Sequence, residues 1–243
     1  MKTVRSAFTL IEVIIVIAII SALIVLSVAA FMRVRTSQQI QDTHYSVDTL
    51  QKHVNSHITV TIEKARKSPY RNSVLQYCNN DPDLTDAILC YGYLKIEFPE
   101  TFAEARQGFK IIDNSMGTPI TIISLPPPSK FSGIPASTML IPGDQNAVLL
   151  HLTIQASVQV AEEDGWMYYK DDFGKPIMFV RWYEDGKVGD PYDPMRKLTN
   201  WSNLQILRNA SNCQQIGDNL NKLITVRSSQ MPDGEIIWGY QSR

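Results

Sequence analysis

Charge is what this chain has least of where it matters most. Between Val13 and Met32 there are twenty residues and not one is charged; the only polar side chains are the hydroxyls of Ser21 and Ser27. Such a run excludes an ordinary surface helix, which needs a solvated face. Twenty apolar residues at about 1.5 Å each match the roughly 30 Å hydrocarbon core of a bilayer. Neither Gly nor Pro occurs from Thr36 to Lys67, so nothing there breaks a helix. A charge of one sign is also missing. With 23 Lys and Arg against 24 Asp and Glu the net charge is −1, which argues against a nucleic-acid surface or a general anionic-membrane surface. Three cysteines, Cys78, Cys90 and Cys213, leave at least one unpaired within the chain. No P-loop, G-x-S-x-G, H-E-x-x-H or C-x-x-C is present, and no enzyme class or cofactor is expected.

What is there begins with Glu12. It stands at the edge of the apolar run, where a carboxylate is costly, and that cost calls for a partner. Before it comes Met1-Lys2-Thr3-Val4-Arg5-Ser6-Ala7, short and basic, ending in a small residue. Ala7 followed by Phe8-Thr9-Leu10-Ile11-Glu12 resembles the prepilin signature of type IV pilins and type II secretion pseudopilins. The resemblance covers about residues 5 to 32. It implies cleavage by a prepilin peptidase between Ala7 and Phe8, N-methylation of Phe8, and a need for Glu12 in filament assembly. Ala7 stands where the family usually has Gly, and the proline that often kinks the family's helix is missing. On physical grounds, a new ammonium at Phe8 would lie one helical turn from Glu12, so the carboxylate can pair with its own terminus or a neighbour's. A secretory signal peptide cut near Ala29-Ala30 is a competing reading. It is opposed by the length of the run and by Glu12.

Beyond the apolar run, Ile40, Val47, Leu50, Val54, Ile58, Ile62 and Ala65 recur at helical steps, one stripe of an amphipathic helix. Ser68-Pro69 should end it. Residues 8 to about 67 then form one helix roughly 90 Å long. The expected organisation is a leader at 1–7, an apolar half-helix at 8–32, an amphipathic half at 33–68 and a globular region at 69–243. The fold class is α+β, the long helix packed on an antiparallel sheet. Further expectations are a helix starting at Asp81-Pro82, another at Pro99 stopped by Gly108, and strands 109–113 and 119–123 around Gly117. A strand is expected from Lys175 to Glu184 into an Asp185-Gly186 turn, a helix over 200–207, and two short strands near 223–226 and 235–238. Residues 147–160 alternate like a strand, yet Asp144 suits a helix cap. The helix is preferred for 145–156 because Asp172-Phe173-Gly174-Lys175-Pro176-Ile177 resembles a D-x-W-G-x-P segment of pseudopilins, which often follows a helix. Asp190-Pro191-Tyr192-Asp193-Pro194 resembles a D-P-F-D-P segment of the larger members.

Cys78 and Cys90 are expected to form a disulfide if the domain is exported, with Cys213 left over. His53 and His57 stand four apart on the helix but read as solvent-facing rather than as metal ligands. Asp185, Asp190 and Asp193 are weak calcium candidates; a solvated acidic turn is preferred, and no metal is expected. The function implied is structural: a subunit, minor or accessory given its size, of a type IV pilus or a type II secretion pseudopilus. Its partners would be other pilin-like subunits, the prepilin peptidase, an inner-membrane assembly platform and the lipid bilayer, with no nucleic acid. It would be a single-pass inner-membrane protein with an extracytoplasmic domain. The alternatives are a monomeric membrane-anchored extracytoplasmic binding domain, and a soluble protein released by signal peptidase.

Overall fold

The computed structural model describes residues 10–113, 117–135, 142–181, 183–184, 187–188, 224–232 and 234–239. The fold is α+β, with a long N-terminal helix and small antiparallel sheets. The chain divides into two compact units, Met1–Asp42 and Thr43–Arg243.

Helix α1 runs unbroken over Leu10–Arg66. The β-branched cluster at Ile58–Ile62 does not end it, because packing outweighs a propensity deficit of a few tenths of a kcal/mol per residue. Its buried residues are Thr43, Val47, Leu50, Gln51, Val54, Ile58, Thr61 and Ala65. The apolar stripe is therefore real, but three polar residues share it, and Ile40 and Ile62 lie half-buried beside it. Gln51 shows why. Its carboxamide donates to Asn55 Oδ1 at 2.9 Å and to the Ile224 carbonyl at 3.0 Å, and its Oε1 accepts the Val226 amide at 2.7 Å. The side chain acts as an extra rung on a strand 173 residues away, so a buried polar group is satisfied rather than stranded.

Residues 68–108 are more helical than expected: α2 (Arg71–Tyr77), α3 (Pro82–Glu97) and α4 (Phe102–Gln107). Asp81 caps α3, accepting the amides of Asp83 and Leu84 ahead of Pro82 in the first turn. Helix α4 does not begin at Pro99. Thr101 captures the Glu104 amide at 3.2 Å, and a satisfied cap defines the start. Gly108 ends α4 at φ +65, and a Cβ there would lie 2.4 Å from the Leu125 carbonyl oxygen.

Strand β1 (Phe109–Asp113) pairs antiparallel with β2 (Ile120–Leu125), with a register shift at Ile111/Ile112. Helix α5 (Pro142–Thr153) settles the ambiguous stretch in favour of helix. A hairpin that the sequence reading missed follows it. Strands β3 (Val160–Glu163) and β4 (Trp166–Tyr169) are joined by Asp164-Gly165, both at positive φ, as a two-residue hairpin turn requires. Strand β5 (Met178–Arg181) pairs antiparallel with β8 (Ile224–Arg227), and β6 (Tyr183–Glu184) with β7 (Lys187–Val188). Among the described residues the sheet is thus four two-stranded pieces rather than one. The second C-terminal strand is reduced to a single bridge, Arg227 with Trp238. The expected helix at 200–207 lies outside the described residues.

Two charged side chains knit these pieces. Glu97, at the end of α3, is buried; its Oε1 accepts from Lys64 Nζ of α1 at 3.0 Å and its Oε2 from Lys130 Nζ at 2.7 Å, with His57 Nε2 3.4 Å away. Arg181 is 3 % exposed. It donates to the Lys95 and Phe98 carbonyls at the end of α3, at 3.3 and 3.0 Å, and to Glu104 at 2.7 Å. Those carbonyls are ones the helix itself leaves unpaired.

Candidate functional site

Every residue from Leu10 to Gln38 is exposed. Seventeen large apolar side chains between Leu10 and Val34 are 45–81 % exposed. Burying one such side chain is worth about 1.5–3 kcal/mol, and a monomer in water rarely shows an apolar patch beyond a few hundred Å². Among the described residues nothing covers this surface, and it suits lipid or other chains. The backbone is suited to that setting, since an α-helix satisfies its own amides and carbonyls without water. The hydroxyls follow suit: Ser21 donates to the Ile17 carbonyl at 2.8 Å, Ser27 to Leu23 at 2.7 Å and Thr36 to Met32 at 3.0 Å. Glu12 lies in the first turn of α1, where the helix dipole favours a carboxylate. Arg33 and Arg35 follow the other end of the run. Ala7 and Phe8 lie outside the described residues.

The remaining expected sites fare differently. No disulfide joins Cys78 and Cys90. Each is buried on its own element, Cys78 closing α2 and Cys90 in the middle of α3. Burial, then the charge of Asp86, pushes the Cys90 thiol up to about 11, far from the thiolate that exchange chemistry needs. Cys213 lies outside the described residues, as do Asp185, Asp190 and Asp193. Among the described residues no group of three or more His, Cys, Asp or Glu side chains is arranged to hold a metal. His53 is exposed, but His57 is not simply solvent-facing. It approaches Glu97 and meets the Phe98 ring edge-on at 5.3 Å.

The D-F-G-K-P segment is a turn, and its organising acid is Asp171, one residue ahead of the Asp172 singled out by sequence. Asp171 Oδ1 accepts the amides of Phe173 and Lys175 at 3.0 and 2.8 Å, and the Gly174 amide returns to the Asp171 carbonyl. Gly174 sits at φ +79. The signal was readable, because a D-x-W-G-x-P pattern aligned from Gly174 and Pro176 puts its acid at 171.

The model of the prokaryotic N-terminal methylation motif matches residues 2–28. The matched segment includes the first part of the apolar run of α1, and together they support a prepilin-type, pilin-like protein. No curated protein and no solved structure matches the chain.

Proposed function

We infer that the chain is a minor or accessory structural subunit of a type IV pilus or a type II secretion pseudopilus, working by polymerisation rather than catalysis. One observation carries this: the methylation motif at residues 2–28 overlaps a helix whose apolar residues are left exposed among the described residues. In this reading residues 1–7 are removed by a prepilin peptidase, Phe8 becomes the methylated N-terminus, and 8–32 sit in the inner membrane until the assembly platform passes them to the filament. Residues 33–68 form the amphipathic half-helix and 69–243 the extracytoplasmic domain. The carboxylate of Glu12 then meets the Phe8 ammonium of a neighbouring subunit, because a charge among apolar helices is tolerated when paired and costly when not. The size of 27.5 kDa is large for a major pseudopilin, which supports the minor or accessory role.

Mass spectrometry of the envelope protein tests the reading. An N-methylated Phe8 is expected. An intact Met1 would instead describe a monomeric membrane-anchored binding domain, and a start near residue 30 a protein released by signal peptidase.

A further inference from the structure

A cavity of about 90 Å³ opens between α5, the β3–β4 hairpin and the turn ending at Pro176. Its floor is the buried pair Ala147 and Val148, and its walls are Trp166 and Tyr168. Asp144 and Glu163 also line it, so the described residues around it carry two carboxylates and no base. The walls are held in place. Trp166 packs on Phe102 with ring centroids 5.1 Å apart, and the Tyr168 hydroxyl donates to Glu163 Oε2 at 3.1 Å. The hairpin is fixed by its four-residue register and its Asp164-Gly165 turn. Burial, then the hydrogen bond with Glu163 and the charges of Glu163 and Asp144, raise the Tyr168 phenol.

We propose that this cavity is a receptor for the guanidinium of an arginine presented by a partner protein. Aromatic faces beside carboxylates favour a flat, weakly hydrated cation that stacks and donates in a fork, which an ammonium does less well. The size agrees. The cavity of about 90 Å³ holds several waters, enough for a four-atom guanidinium. Size and charge also set the source. An arginine within a polypeptide presents the guanidinium without the α-ammonium and α-carboxylate of free arginine, both of which would have to be placed outside the cavity beside exposed Glu162, Glu163 and Asp164. The proposal concerns the globular unit alone and does not depend on the filament reading.

The test is a tryptophan-fluorescence titration of the full-length protein in detergent micelles with capped Gly-Arg-Gly. The same peptide with lysine, the same peptide with uncharged citrulline, free arginine and a monosaccharide are run beside it. The expected result is saturable binding of the arginine peptide that weakens with salt. Binding should be severalfold weaker for lysine and free arginine, and absent for citrulline and the sugar. Asp144→Asn with Glu163→Gln, shown by circular dichroism to keep the fold, should weaken the arginine peptide about tenfold or more. Absence of saturation, equal binding of citrulline, saccharide binding in its place, or an unchanged double variant would overturn the receptor. Free arginine binding as tightly as the capped peptide would overturn the partner-protein source.

Discussion

Replacing Glu97 with glutamine keeps the shape and one carbonyl acceptor but removes the charge that three side chains face. Burial by itself would raise the Glu97 carboxyl. The hydrogen bond from His57, the charge and hydrogen bond of Lys130 and the hydrogen bond from Lys64 overcome it, so the group sits well below the usual carboxylate range. Breaking a buried ion pair on one side costs about 3–5 kcal/mol. Two facts reduce that here. Lys64 is 58 % exposed and can return to water, and Lys130 is 24 % exposed. Burial also holds Lys130 below the ordinary lysine value despite Glu97, so the pair already carries a desolvation cost. A net loss of about 2 kcal/mol follows, or roughly 4–8 °C in Tm at about 2–4 °C per kcal/mol for a chain of this size. A folded pKa below the unfolded one stabilises above the unfolded value of about 4.3 and loses that contribution as pH falls through the folded value. Wild type and Glu97→Gln should therefore differ at pH 7 and converge as pH drops below about 4. Thermal unfolding in detergent followed by near-UV circular dichroism reads this directly. Lys130→Met is the control. It relieves a buried amine while Lys64 and His57 still face Glu97, so it should cost less than Glu97→Gln. Equal stability of wild type and Glu97→Gln at pH 7, or a gap undiminished at low pH, would refute the reasoning.

Glu12→Leu should leave membrane levels unchanged while incorporation into sheared filaments, or cross-linking to a partner pilin, falls about tenfold or more; equal incorporation would favour a lone anchor. Gln51→Leu strands the Val226 amide in the interior and should cost about 2–3 kcal/mol, read as a lowered urea midpoint with an unchanged slope. Cys78 and Cys90 should resist maleimide in the native protein and both react after denaturation without reductant. A disulfide formed on export would leave them unlabelled.

What the sequence disclosed was local. The apolar run, the 3.6-residue stripe from Val47 to Ala65, the Asp81-Pro82 helix start and the β1–β2 pair all rest on neighbours within a few residues. What it hid was long-range. Gln51 reads as a polar interruption of an apolar stripe, and its role exists only because β8 arrives 173 residues later. Arg181 reads as one residue of a strand, and the carbonyls it joins belong to α3. Two misses were avoidable. Asp164-Gly165 between alternating residues is a strong hairpin signal, and Thr101 outranks Pro99 as a cap by side-chain chemistry. The Asp185, Asp190 and Asp193 candidates and the 200–207 helix stay outside the described residues.

Along α1 the side-chain bonds that leave the helix begin at Thr43, where the apolar stripe starts to be buried. Ser21, Ser27 and Thr36 turn back to carbonyls four residues earlier and ask nothing of their surroundings. From Thr43 onward some bonds also reach beyond the helix, although Thr59 and Thr61 still turn back to the Asn55 and His57 carbonyls: the Thr43 hydroxyl accepts the Asp172 amide at 3.4 Å, and Gln51 serves β8. The first exposed apolar segment therefore needs an apolar solvent, and a bilayer and a bundle of like helices meet that need equally well, because lipid tails are as apolar as leucine. Apolar burial alone cannot decide between them. Glu12 can, since lipid offers a carboxylate only the interface, whereas a neighbouring chain can offer a cation. Exchanging Glu12 for an apolar residue leaves the lipid interaction intact and removes the carboxylate at the edge of the run that distinguishes a neighbour from a membrane.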